Sequence, residues 1–319
     1  MRKVTGCAVG ICYLIWIVVI TLILSADYQI LDPEELTKLK DGKNFWEWSS
    51  KHGRLQVHYT ENGTGDRHLI LLHGFRAHTY TWRHLVAPLV AAGYHVWTID
   101  LIGYGLSDKP DHVPYSFDFF IEQIYAFLED QKISQAHVIG NSMGGGLALS
   151  LATTYPEKVR SLTLISALGY PIEMPLYLSL GRHFNRIWVH FLGPTMIRSG
   201  LRQIIFKRET VTDEQVEAYS LPYRFPGGAL ASVLTLRKFD NQHLIELGQK
   251  YPSLTQPMLV IWGEHDTLLP VSHYEKFCQD FPQAHRLLIP HCGHLAQEEE
   301  PQQVADALLE FLKQIEDRP

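Results

Sequence analysis

The sequence predicts an α/β protein: a mainly parallel sheet flanked by helices, with an inserted helical cap and an N-terminal transmembrane helix. Three observations predict it. Strand-like and helix-like segments alternate over most of the chain, one stretch breaks the alternation, and an uncharged apolar run lies near the N-terminus.

That run comes first in the chain. Val4 to Leu24 carries no charged residue over 21 positions. As a helix it reaches roughly 30 Å, the thickness of a bilayer's hydrocarbon core. Arg2 and Lys3 precede it, while Asp27, Asp32, Glu34 and Glu35 follow. The basic flank belongs on the cytoplasmic side, which puts the rest of the chain on the non-cytoplasmic (periplasmic or lumenal) side. A cleaved signal peptide is the competing reading. The run is long for one, and Leu24-Ser25-Ala26 puts a leucine where cleavage needs a small residue. The expectation is a retained membrane anchor over 4–24, followed over 25–45 by a polar, membrane-proximal linker with a helix-like stretch near Pro33, a spacer or a membrane-proximal helix.

The chain as a whole has the composition of a globular enzyme-sized unit. With 46% hydrophobic residues, a net charge of -6 and no basic run, it has material for a large core and no footprint for a nucleic-acid partner. Arg54–Thr60 alternates polar and apolar side chains, as a half-exposed strand does. Short apolar runs at His68–Leu72, Tyr94–Ile99, Ala136–Ile139, Ser161–Ile165, Pro257–Trp262 and His285–Ile289 suit buried parallel strands. Helical stretches fall near 79–92, 117–131, 143–155, 271–280 and 300–315. Cys278 and Cys292, the cysteines outside the apolar run, are expected as free thiols.

Between Ala167 and Tyr251 the rhythm stops. Aromatic and apolar helix-like pieces are cut short by Pro171, Pro175, Pro194, Pro222 and Pro226. This segment, 167–251, reads as a helical cap over the sheet's carboxyl edge, where open α/β folds bind ligands. The core is then 46–166 with 252–316.

The chemistry concentrates at that edge. Gly140-Asn141-Ser142-Met143-Gly144 follows a strand and opens a helix, the sharp turn that lifts a serine oxygen clear of a sheet. Serine needs an adjacent base at neutral pH. Among 17 histidines, position selects His294, in the loop between the last strand and the last helix; His291 is its nearest rival. The imidazole needs an orienting carboxylate. Asp266, in the loop after Pro257–Trp262, supplies it, with Glu264 as competitor. Oxyanion donors are expected from the backbone N–H groups of Met143 and Phe75, with Gly74 permitting the close turn. His73 is expected to be structural.

Together these residues resemble the α/β-hydrolase superfamily, from about residue 46 to 316. Asp100-Leu101-Ile102-Gly103-Tyr104-Gly105-Leu106-Ser107-Asp108 and the run from His294 to Pro301 strengthen the resemblance. The resemblance implies a capped, esterase- or lipase-like serine hydrolase that needs no metal and no organic cofactor. Its substrate would be a small-molecule ester or acyl lipid. Tyr170, Tyr177, Phe184, Trp188, Phe191 and Phe206 are candidates to line the pocket. Most of them are expected to pack the cap, with Tyr170 and Trp188 kept, beside Gly74 and Trp82, as substrate-binding candidates. Trp82 resembles a position in haloalkane dehalogenases and epoxide hydrolases, but those use an aspartate nucleophile and this elbow carries Ser142. The elbow also resembles carbon–carbon bond hydrolases of the meta-cleavage type, which stand as an alternative. A non-catalytic anchored binding module is the third reading.

Overall fold

The computed structural model describes residues 30–173 and 193–317. The expected anchor over 4–24 lies outside them, as do Tyr177, Phe184, Trp188 and Phe191. Among the described residues no helix is long and apolar enough to cross a membrane.

Among the described residues eight strands form one sheet in the order β1-β2-β4-β3-β5-β6-β7-β8. They are β1 (Asn44–Ser50), β2 (Gly53–Asn62), β3 (His68–Leu72), β4 (His95–Ile99), β5 (Ala136–Asn141), β6 (Val159–Ile165), β7 (Met258–Gly263) and β8 (His285–Ile289). The β1–β2 and β2–β4 pairs are antiparallel and every other pair is parallel. Strand β1 has no counterpart among the expected strands, although its signal is present. In Asn-Phe-Trp-Glu-Trp-Ser-Ser the alternation puts Trp46 and Trp48 on the buried face, opposite Val57 and Leu55 of β2.

Both faces of the parallel strands are covered, so their side chains alternate between two cores. Ile70, Leu72, Val138, Leu162, Leu164 and Val260 point to one face. Helix α3 (Phe117–Asp130) and helix α4 (Met143–Thr154) close that face. Leu69, Leu71, Ile139, Ile165, Leu259 and Ile261 point to the other, against helix α2 (Arg83–Ala91) and the terminal helix α11 (Pro301–Glu316). Each fully buried aliphatic side chain of this kind contributes roughly 1.5–3 kcal/mol relative to exposure. The sheet is therefore a rigid platform for the loops at its carboxyl ends.

Helix α1 (Pro33–Lys40) precedes the sheet, opened by a capping box between Asp32 and Glu35. Between β6 and β7 the described chain forms α5 (Pro194–Ile204), α6 (Asp213–Ser220), α7 (Gly228–Lys238) and α8 (Asn241–Lys250) and no strand. The chain then runs through α9 (Val271–Asp280) and the short α10 (Ala296–Glu299).

Candidate active site

Ser142 sits between β5 and α4 with φ 55° and ψ -120°, a conformation that side chains rarely adopt. Such a residue costs about 1–3 kcal/mol and persists only where its surroundings hold it. Here its backbone is tied at both ends. Its N–H donates to the Ile165 carbonyl at 3.0 Å, and its carbonyl accepts from the Leu168 N–H at 2.9 Å. The flanking glycines are required by space. A Cβ on Gly140 would lie 2.3 Å from the Gly144 carbonyl oxygen, and one on Gly144 would lie 2.0 Å from that of Leu72.

His294 and Asp266 come to the same edge from neighbouring loops. His294 Nδ1 is 2.7 Å from Asp266 Oδ2, and both side chains are buried. The second carboxylate oxygen accepts from the Leu268 and Leu269 amides, each at 2.9 Å. With both oxygens engaged, the carboxylate has one orientation. Glu264, the competing acid, is exposed. His291 is also exposed, at φ 54°, and stacks on His265. Among the described residues Ser142 Oγ has no hydrogen-bond partner, and it shares a cavity wall with His294. Links of this kind are often open in unliganded enzymes and close around substrate.

The amides of Phe75 and Met143 donate to no protein acceptor among the described residues. Both residues border the space in front of Ser142. Gly74 belongs to the same wall, and a Cβ there would lie 3.0 Å from the Ser142 Cβ. His73 is fully buried beneath them. Its Nδ1 lies 2.8 Å from the Gly74 carbonyl and its Nε2 accepts from the Leu101 N–H at 3.1 Å. That pattern fits one neutral tautomer, and burial lowers its pKa to about 4. His73 thus fixes the turn.

A second histidine–carboxylate pair, His58 with Asp100 at 2.7 Å, lies behind the site. Asp100 also accepts from the Thr79 and Leu106 amides at 2.7 and 2.8 Å. Burial alone would raise the Asp100 carboxyl, but its bond to His58 and the surrounding charge outweigh it and hold it well below the usual range. Neither residue borders the cavities at Ser142, so the pair is structural.

Two cavities meet at Ser142. One, about 80 Å³, is enclosed by Phe75, Tyr115, Phe117, Leu168 and Phe239, with the exposed Lys238 at its wall. The other, about 130 Å³, is enclosed by Arg76, Met196, Leu201, Tyr219 and His294. Two expected lining residues are elsewhere. Trp82 is wholly buried on the opposite face of the sheet, because the short turn Thr79–Trp82 points its indole down among Leu85 and Leu89. Tyr170 turns away as well, donating to Asp280 at 2.9 Å and packing on Phe277. Phe206 lies over His265, partly exposed.

Three further residues hold the site together, and the sequence reading assigns them no role. Asn141 donates to the Ile165 and His294 carbonyls at 3.1 and 3.3 Å, joining the strand that leads to Ser142 to the loop that carries His294. Glu299 accepts from the Gly293, Leu295 and Phe206 amides. Burial raises its pKa against the lowering effect of those amides. Glu298 gathers Thr81, Arg83, Gln215 and Tyr219, linking α6 to the core. Their only sequence signal is membership of the serine and histidine motifs. Among the described residues no cluster is fit to hold a metal ion.

This architecture agrees with the comparison to known proteins. The α/β-hydrolase family profile matches residues 69–307. The chain is an α/β-hydrolase. It is 30% identical over 282 residues to the 2-hydroxy-6-oxo-6-(2'-aminophenyl)hexa-2,4-dienoic acid hydrolase of Metapseudomonas resinovorans, covering 83% of this chain and 90% of that one. A meta-cleavage product hydrolase from Pseudomonas fluorescens shares the fold, with a TM-score of 0.71 at 24% identity over 82% of this chain and 95% of that one. The hydrolase is also 25% identical to a membrane phospholipase A described as a bacterial virulence factor, with a TM-score of 0.70 and 100% of both chains covered.

Proposed function

We propose that this hydrolase cleaves carboxylic esters with hydrophobic acyl groups through an acyl-enzyme. One observation carries the reading. Ser142, in its strained turn, opens onto an almost wholly apolar cavity on one side and onto His294 on the other.

In the proposed reaction Ser142 Oγ attacks the ester carbonyl and its proton passes to His294 Nε2. Asp266 holds the imidazole in the tautomer that can accept it and stabilises the imidazolium. The Phe75 and Met143 amides receive the oxyanion. His294 then returns the proton to the departing alkoxide, and water repeats the cycle on the acyl-enzyme. Because His294 protonates the leaving group, the leaving group occupies the cavity that His294 borders, and the acyl chain occupies the Phe117–Phe239 cavity. Residues 167–251 would act as the cap above both. Residues 4–24 would anchor the enzyme, with its catalytic part on the non-cytoplasmic side. The full-length similarity to a membrane phospholipase A supports both the ester and the anchor.

The curated relatives favour a second reading. Among them are hydrolases named for dienoic-acid substrates, and carbon–carbon cleavage by the same serine, histidine and aspartate is compatible with this geometry. A substrate panel decides. The ester reading expects turnover of graded p-nitrophenyl esters by wild type and none by Ser142→Ala, with fluorophosphonate labelling lost in parallel. Efficient cleavage of a vinylogous 1,5-diketone with negligible ester turnover would replace it with the second reading. Protease protection of the soluble part in sealed vesicles tests the sidedness.

A further inference from the structure

The leaving-group cavity contains one group with no role in the steps above. Arg76 follows Phe75 directly and sits half-buried in the wall shared with Ser142 and His294. Its backbone has φ 62°, so the side chain is carried on a left-handed residue at the tip of the turn closed by the Ala77 N–H and the Gly74 carbonyl. Its Nε donates to the Tyr223 hydroxyl at 2.8 Å, and the guanidinium lies over the Tyr223 ring. A guanidinium has five N–H donors. Both Nη groups are without an acceptor among the described residues, and no carboxylate pairs with them there. Outside the described residues, 174–192 contain no Asp or Glu, and Asp27 is the one acidic side chain.

A half-buried cation beside apolar walls is costly unless an anion meets it. The other residues enclosing this cavity include Met196, Ile197, Leu201 and Leu295, and none is acidic. The Nη edge is the planar fork that binds phosphate and carboxylate oxygens in pairs. Tyr223 holds the Nε side, which leaves that fork for a ligand.

We propose that Arg76 is a specificity-determining residue that recognises an anionic group, a phosphate or carboxylate, on the leaving-group half of the substrate. The enzyme then takes esters whose acyl part is apolar and whose alcohol part is negatively charged. This rests on the acyl-enzyme reading above, including its assignment of the His294 side to the leaving group.

The test compares two esters with the same short acyl chain below micelle formation: a 1-monoacylglycerol and the corresponding 1-acylglycerol 3-phosphate. Wild type is expected to favour the phosphate-bearing ester. Arg76→Gln lowers kcat/KM on that ester by about tenfold or more beyond any change on the neutral ester, as loss of a charge-assisted pair predicts. Arg76→Lys recovers part of the loss. Equal effects on the two esters would mean that Arg76 only braces Tyr223, and the proposal falls. A separate arm does not depend on ester cleavage. Hexyl phosphate, hexanoate and hexanol are tested for protecting Ser142 from a fluorophosphonate in wild type and Arg76→Gln. Protection by either anion that needs Arg76 supports the site, and the protecting anion identifies the source. If the anions do so while neither ester is cleaved, the ester reading fails and the anion site stands. No anion-selective protection overturns the proposal.

Discussion

Asp266→Asn removes a charge at almost constant volume, and the surrounding contacts dictate how the new amide must sit. In the native site Oδ1 accepts from two amides, Leu268 and Leu269, while Oδ2 faces His294 Nδ1 at 2.7 Å. Turning the asparagine NH₂ toward the two amides would leave both N–H groups unpaired, at about 1–3 kcal/mol each. The carbonyl oxygen therefore stays with the amides and the NH₂ faces Nδ1. A donor at that position forces Nδ1 to accept, so the ring proton moves to Nε2. That nitrogen then cannot take the proton of Ser142. Loss of the correct tautomer is expected to lower kcat by about 10⁴-fold with little change in KM. Because both amide bonds survive, the fold should be nearly as stable as wild type. The assay is p-nitrophenyl ester hydrolysis at saturating substrate, with Tm measured on the same preparation. A folded variant that keeps more than about a tenth of the wild-type kcat would refute the assignment of Asp266, since the wrong tautomer allows no such rate.

Two further outcomes follow from the structure. His73 is neutral when folded, its pKa lowered by burial from 6.5 to about 4, so the unfolded chain binds a proton that the native one does not as pH falls between those values. Its contribution to stability is complete above the unfolded pKa and is lost on acidification. Denaturant unfolding should show wild type losing roughly 2 kcal/mol more than His73→Gln between pH 7 and pH 5. An identical loss in both proteins would remove His73 as the cause. Leu168→Trp fills the proposed acyl cavity. At about 0.8 kcal/mol per buried methylene, losing room for about two methylenes lowers turnover of a dodecanoyl ester relative to a butanoyl ester by about tenfold. An unchanged ratio would place the acyl chain elsewhere.

The sheet is legible where the sequence leaves no choice. His68–Leu72 and His285–Ile289 are short strand-like runs bounded by turn residues, and both form strands with those limits. Strand β1 escapes notice, because a seven-residue polar and aromatic alternation beside a linker reads equally as irregular chain. Ser142, Asp266 and His294 can be chosen from sequence because each sits beyond the end of a strand, and parallel strands share one carboxyl edge. Face is harder to read than edge. Trp82 and Tyr170 are aromatic residues near the motifs, but a turn of one residue decides whether such a ring enters the cavity or the core, and both enter the core. Arg76 is invisible for a different reason. Its interest lies in the lack of a carboxylate beside it among the described residues, which is a property of tertiary structure.

The central claim is that Ser142 becomes covalently acylated during turnover. Acid quenching of the enzyme during the first turnover of a p-nitrophenyl ester, followed by peptide mass analysis, tests it directly. The account predicts a mass increase equal to the acyl group on the peptide that contains Ser142, accompanied by a stoichiometric burst of p-nitrophenolate. Turnover without an adduct, or with the acyl group on another residue, would contradict it.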